Sequence, residues 1–354
     1  MKKLSQTILV MIAVILLFTS CKGLAMRKKS LEPDKPENTE AFVTNNFVGS
    51  LYKGNFVWGI AMNFAWNELG NSILHEKLKL ASSDATVKQI ENAFNTFLLS
   101  KEVLDDASYY AKAGYGQKTV NAINKEVRKK FPKKTFGDLK TDLGESDIIS
   151  YAYFVKAVEY LYVFEDTDFE FMGEPVKGFY ATNKNQRDSV YVIKYENADK
   201  FIVQLRLKDK SDCLFLAKGY DMKNPKTVLK AIKKEKHKNK PKLSSDDIFY
   251  VPNIKLNYRR DYVELLGKFF DNKGFEEYFI AQMYENIKFN MDKKGAKVEN
   301  EAVIIALKSA GIMEEPRMLI FDKPYWIVMQ RSESDTPYFL LGINNSKLMQ
   351  KSDK

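Results

Sequence analysis

Between residues 190 and 217 three short apolar segments are separated by polar turns, and this spacing constrains the fold more than any other feature. Phe201, Val203, Leu205 and Leu207 alternate with Ile202, Gln204, Arg206 and Lys208. Successive side chains of a strand point to opposite faces, so a period of two predicts a half-buried strand. Residues 190–195 and 213–217 flank it across the polar turns 196–199 and 208–212. Connections that short join antiparallel neighbours, and the segment is expected to be a meander.

Helical periodicity lies in separate blocks. From Asp84, the residues Val87, Ile90, Phe94, Phe97 and Leu98 recur three and four apart and mark one face. Val120, Ile123 and Val127 repeat the pattern, with Thr119 as the expected cap and Pro132 beyond the end. Helical patterns return at 227–236 and 261–270, and apolar runs at 318–321, 325–329 and 338–343 close the chain. Helices and antiparallel strands in separate blocks predict an α+β fold. With 354 residues, 45% of them hydrophobic, the chain can bury a sizeable core without staples. No repeat period appears, so residues 42–354 are read as a single domain.

The first residues read differently. Lys2 and Lys3 precede an apolar run from Ile8 to Phe18, too short for the roughly 20 residues a membrane-spanning helix needs. Residues 1–20 therefore read as a signal peptide. The small residues before Cys21 resemble a bacterial lipoprotein signal, which implies lipidation of Cys21. An ordinary cleaved signal or a short membrane anchor is the alternative. Residues 21–41 are polar with two prolines and read as a flexible tether. Localisation at a bacterial cell envelope or surface follows, with a membrane partner through the lipid. Cys213, in an apolar run, is expected in the core.

The charge of +10 suggests nucleic acid or membrane only superficially. Two charges lie in the leader, and residues 223–242 hold nine lysines against Glu235, so the remainder of the chain is neutral. No groove-reading motif or aromatic companion accompanies this run, and no nucleic-acid partner is expected. It reads either as a solvated helix face and loop or as a polyanion patch formed by Lys230, Lys233, Lys234, Lys236, Lys238 and Lys240.

Catalytic chemistry finds little support. The only histidines are His75 and His237, both in polar surroundings. There is no HExxH or GxSxG, and no Cys-rich or His-rich metal set can be assembled. Residues 114–119 lack the glycine before the lysine that a phosphate loop needs. Asp105-Asp106 and Asp246-Asp247 stand at segment starts, where capping explains them. No enzyme activity, cofactor or metal is expected.

Several ordered motifs point elsewhere. Residues 321–329 (FDKPYWIVM) and 336–344 (TPYFLLGIN) resemble the closing strands of the serpin family. Residues 291–295 (MDKKG) resemble the strand entering the serpin reactive loop, with Gly295 as hinge glycine. Ile123, Asn124 and Val127 with residues 137–139 resemble the helix that covers the serpin main sheet. Residues 148–154 through 164–167 resemble the central strand that follows, and residues 247–255 (DIFYVPNIK) resemble another. The set runs in order from about Lys101 to Asn345. It departs from the pattern before residue 100, where no N-S-P-x-S-I signature occurs, and near Val158, where the expected tryptophan is replaced.

The resemblance implies N-terminal helices, a large central mixed or antiparallel sheet, a second sheet, and an exposed reactive loop near the C-terminus. It also implies a suicide inhibitor of a serine or cysteine protease, acting as a monomer. Cleavage of the loop leaves an acyl-enzyme, and the freed loop inserts as a strand into the main sheet. The hinge is Gly295, Ala296, Lys297, Val298, Glu299, Asn300, Glu301 and Ala302. The scissile-bond candidates are Lys308, Ser309 and Ala310, about fourteen residues on. Alternation places Ala296, Val298, Asn300, Ala302, Ile304 and Ala306 inward on insertion and Lys297, Glu299 and Glu301 outward. Only Asn300 then needs a buried partner, at roughly 1–3 kcal/mol if it finds none. The alternative is a non-inhibitory binding or structural lipoprotein that keeps the fold.

Overall fold

The computed structural model describes residues 41–43, 54–96, 104–238, 240–295 and 316–352. Cys21, the tether to residue 40, Phe97 and Leu98 lie outside the described residues, as do residues 296–315 with Ala296 to Ala302 and Lys308 to Ala310.

The largest sheet has seven strands: β1 (Ala41–Val43), β2 (Asn55–Gly59), β7 (Val190–Asn197), β8 (Lys200–Leu205), β9 (Asp212–Lys218), β14 (Tyr325–Arg331) and β15 (Pro337–Ile343), in the order β1-β2-β15-β14-β9-β8-β7. The expected meander is β7–β8–β9, antiparallel, with Val203 opposite both Val192 and Leu216. It is more deeply buried than alternation predicts. Gln204 is buried along with Phe201, Ile202, Val203 and Leu205. The reason lies in the covering chain: the Lys240 Nζ donates to Gln204 Oε1 at 2.9 Å, and the Gln204 amide donates to Cys213 Sγ at 3.4 Å. Cys213 is buried, as its apolar run requires.

A second sheet, in the order β13-β10-β6-β5, joins β5 (Glu165–Phe171), β6 (Glu174–Tyr180), β10 (Ile248–Pro252) and β13 (Met318–Ile320). Two antiparallel ribbons complete the strands. One pairs β3 (Tyr109–Tyr115) with β4 (Ile148–Phe154), and the other pairs β11 (Ile254–Asp261) with β12 (Tyr284–Met291).

The helices are α1 (Ala61–Leu69), α2 (Ala85–Thr96), α3 (Gly116–Lys130), α4 (Lys184–Asp188) and α5 (Pro225–Glu235). Asp84 caps α2, accepting from the Thr86 and Val87 N–H groups at 2.8 and 3.0 Å. α3 begins earlier than the Thr119 cap predicts. Gly116 adopts φ +63, and Thr119 sits inside the first turn with its hydroxyl on the Tyr115 carbonyl at 2.7 Å. α5 starts with Pro225 after Asn224, whose side chain accepts from the Lys226 N–H at 3.2 Å.

The helix expected at 261–270 is absent. The segment is the end of β11, a 3₁₀ turn (Val263–Leu265) and an irregular stretch fastened to residues 278–283. Gly267 at φ +71 breaks any helix there, while Tyr262 and Leu265 serve as buried anchors. Three apolar clusters result. The largest fills the space around the seven-stranded sheet. A second gathers Trp66, Leu78, Phe94 and Tyr262, and the third packs Ile123, Val127 and Phe131 of the α3 region onto Tyr153 of β4.

Candidate functional site

The two ribbons lie side by side without joining. β4 ladders with β3, β12 ladders with β11, and no ladder connects β4 to β12. Both are held against β15: Phe154 packs on Tyr338 at 5.5 Å, and Phe289 stacks on Phe339 at 4.6 Å. α1 touches both from below. The Ser150 hydroxyl donates to the Ala65 carbonyl at 2.6 Å, and the Met62 N–H lies close enough to the Glu285 carboxyl to favour its charged form. The chain after α3 covers both from above. Phe136 meets Tyr153 edge-on at 6.4 Å, and Lys288 Nζ sits 4.8 Å from the Phe136 ring centre.

This seam starts to close at one residue. Gly295 bridges Asp292, just past β12, and on its other side bridges Glu159, past β4. The Asp292 pair exchanges both N–H···O bonds at 3.3 Å, which makes residues 292–295 a two-residue hairpin turn. Gly295 has φ +110, and a Cβ there would lie 2.5 Å from the Val158 carbonyl and 2.9 Å from the Glu159 Cα. Only glycine fits. Tyr160, close to the replaced tryptophan, is fully buried, packing on Phe164 at 5.3 Å, and its N–H reaches the Lys294 carbonyl at 3.3 Å.

Two polar groups define the seam's energetics. Lys156, just beyond β4, reaches Asp212 at 2.7 Å and Asp105 at 2.9 Å, and Arg331 approaches Asp105 at 3.1 Å. The Tyr338 hydroxyl completes the set, donating to Asp212 at 3.2 Å. This network ties the β3–β4 ribbon to β9, β14 and β15. Burial alone would lower the Lys156 pKa, but the bonds to Asp212 and Asp105 outweigh it and raise it. Glu285 is the opposite case. Its Oε2 accepts from the Tyr262 hydroxyl at 3.2 Å, its Oε1 has no partner, and burial pushes its pKa up to about 8. Asn63 on α1, between Met62 and Ala65, is also buried with both side-chain polar atoms unpaired.

The residues singled out from sequence fare unequally. Gly295, read as the hinge glycine, ends the turn that follows β12 and bridges Glu159, while the rest of that hinge lies outside the described residues. Asp105 bonds Ser108 as a turn acceptor, but its larger role is in the Lys156 network. Asp247 likewise bonds the Ser244 N–H, and it also holds Arg317 at 2.6 Å. Lys230, Lys233, Lys234 and Lys238 are exposed. Lys236 is not part of a free patch: it is 5% exposed, donating to the Ser334 carbonyl at 3.0 Å and to Asp335 at 2.8 Å. Lys240 is half-buried on Gln204. Lys233 shares Asp335 at 2.8 Å, and Lys238 pairs with Glu235 at 2.8 Å. His75 and His237 are exposed, and no metal-competent group of side chains occurs among the described residues. Sequence reasoning missed Glu285 and Lys156. The first was findable, because Glu285 shares the inward phase of Ile287, Phe289 and Met291.

No protein-family model matches the sequence, and no curated protein does. Solved structures do. Tengpin, a thermophilic serpin in its native state, aligns with a TM-score of 0.53 at 12% identity, covering 88% of this chain and 100% of its own. Mouse protein-Z dependent protease inhibitor aligns with a TM-score of 0.51 at 14% identity, covering 83% of this chain and 91% of its own. Coverage of nearly the whole chain agrees with the motif order, the two sheets and the paired ribbons: the chain has the serpin fold.

Proposed function

We propose that the protein inhibits a serine or cysteine protease by offering residues 296–315 as bait and then taking the cleaved loop into the seam between β4 and β12. The observation that carries this reading is Gly295, bridged on both sides and so already standing between the two ribbons. On insertion, antiparallel pairing continued from the Asp292–Gly295 turn would set Ala296 opposite Met291, Val298 opposite Phe289, Asn300 opposite Ile287 and Ala302 opposite Glu285. Those are the inward residues of β12, so the register and the inward phase read from sequence agree. Outward, Glu299 falls opposite Lys288, an oppositely charged cross-strand pair. Insertion would also supply ladder partners to two strand edges that have none among the described residues.

A lipid on Cys21 would hold the inhibitor at a bacterial envelope through residues 22–40. The exposed lysines of α5, Lys226, Lys230, Lys233 and Lys234, would give weak, salt-sensitive attraction to a polyanion. Incubation with trypsin-, elastase- and papain-like proteases tests the main reading. A covalent complex that survives SDS is expected, with the loop cut near Lys308, Ser309 or Ala310. Plain turnover of the loop as substrate by every protease that cuts it would instead identify a non-inhibitory protein that retains the fold.

A further inference from the structure

Two buried polar groups on neighbouring elements beneath the seam lack partners. Asn63 is 1% exposed with neither its side-chain oxygen nor its nitrogen bonded, and Glu285 is 5% exposed with its Oε1 unbonded. Buried polar atoms are nearly always paired, so orphans on two adjoining elements require a reason. α1 sets them near each other. Its Met62 N–H is close to the Glu285 carboxyl on β12, and its Ala65 carbonyl accepts from Ser150 on β4, so Asn63 stands on the turn that passes under the gap between the ribbons. The orphan oxygen lies beside Ile287: a Cβ built on Gly59 would be 3.4 Å from Glu285 Oε1 and 3.5 Å from Ile287 Cδ1. The Tyr262 hydroxyl donates to the other oxygen at 3.2 Å and so fixes the carboxyl with Oε1 unbonded.

The sequence of the loop carries the matching group. Among the inward residues Ala296, Val298, Asn300, Ala302, Ile304 and Ala306, Asn300 alone is polar. On insertion it would stand opposite Ile287, with Ala302 opposite Glu285. Glu285 is then the diagonal neighbour of Asn300 on the same face, at about 7–8 Å, a span that long side chains cross. Ala302 is too small to fill the space between them. We propose that Asn63 and Glu285 form a polar socket that receives the Asn300 side chain when the cleaved loop enters the seam, an inference that rests on the insertion reading. Asn300 carries what the socket needs, two N–H donors and a carbonyl acceptor. Its N–H groups would donate to Glu285 Oε1 and Asn63 Oδ1, and its carbonyl would accept from Asn63 Nδ2. The amide suits the buried acid in either state, since its carbonyl also accepts from a protonated carboxyl. Asn300 would then fix the register, because a slip of two residues brings Val298 or Ala302 over the socket and leaves every group of it unpaired.

Thermal unfolding of the full-length protein, intact and nicked once between residues 303 and 315, tests the socket. Asn300→Ala should leave the intact protein unchanged and reduce the rise on nicking by about 2–4 °C, because Asn63 and Glu285 lose their partner. An Asn300 buried without a partner predicts the opposite sign, a larger rise for the Ala variant, and that result would overturn the socket. Asn63→Ala should reduce the rise by a similar amount, and should change it no further on the Asn300→Ala background. Additive effects of the two substitutions would also overturn it. Glu285→Gln keeps an acceptor for the Asn300 amide and should retain the rise. No rise in the unsubstituted protein would overturn the insertion reading and the socket with it, whereas a full rise insensitive to Asn300→Ala would overturn the socket alone.

Discussion

Replacing Glu285 by Gln should flatten the pH dependence of stability. The carboxyl lies between Tyr262 and the Met62 N–H with one oxygen unpaired, and burial holds its pKa near 8 against an ordinary 4.5. The other ionisable groups facing it are Arg260, Glu264 beyond it, and Tyr262, whose own burial pushes its pKa far upward and silences it near neutrality. A raised folded pKa means that the native state keeps a proton the unfolded chain releases. The associated stability is therefore complete below pH 4.5 and declines as pH rises toward 8, by about 1.4 kcal/mol per pH unit. Across that window the loss approaches roughly 5 kcal/mol, an upper figure because Arg260 gains attraction once the carboxylate forms. Gln keeps the shape and cannot ionise. Urea unfolding midpoints of both proteins from pH 5 to pH 9 should diverge, the native protein losing stability where the variant does not. Parallel profiles would refute the buried-acid reasoning.

Other perturbations have definite outcomes. Gly295→Val puts a side chain into the Val158 carbonyl at positive φ, so the hairpin should open at a cost of about 2–3 kcal/mol, read as a lower melting temperature. Lys156→Met leaves Asp212, whose side chain is wholly buried, with Arg331 at 3.7 Å as its remaining cation, and should cost roughly 2–3 kcal/mol in urea unfolding. Lys236→Met should lower stability by about 1–2 kcal/mol. Lys226→Gln/Lys230→Gln should leave stability unchanged and shift elution from a heparin column to lower salt.

How much of this was legible in the chain depended on the range of the interaction involved. The β7–β8–β9 meander could be read because period-two alternation is local, and α2 and α5 because apolar spacing and their caps Asp84 and Asn224 are local too. The burial of Gln204 could not, since it depends on Lys240 returning from 36 residues away. The apolar residues of 261–270 resemble a helical face, yet Gly267 and the long-range bonds to residues 278–283 decide otherwise. Gly295 was singled out by motif, but the steric need for glycine there comes from Val158 and Glu159. Net charge misled, because it enlarged the α5 patch by the buried Lys236.

The central claim is that the seam between β4 and β12 accepts the loop as a strand. Thermal unfolding before and after a single cut in residues 296–315 tests it most directly. Insertion predicts a rise in melting temperature of at least about 10 °C, because a new central strand adds two ladders of backbone hydrogen bonds. A cut protein that melts at or below the temperature of the intact one would contradict it.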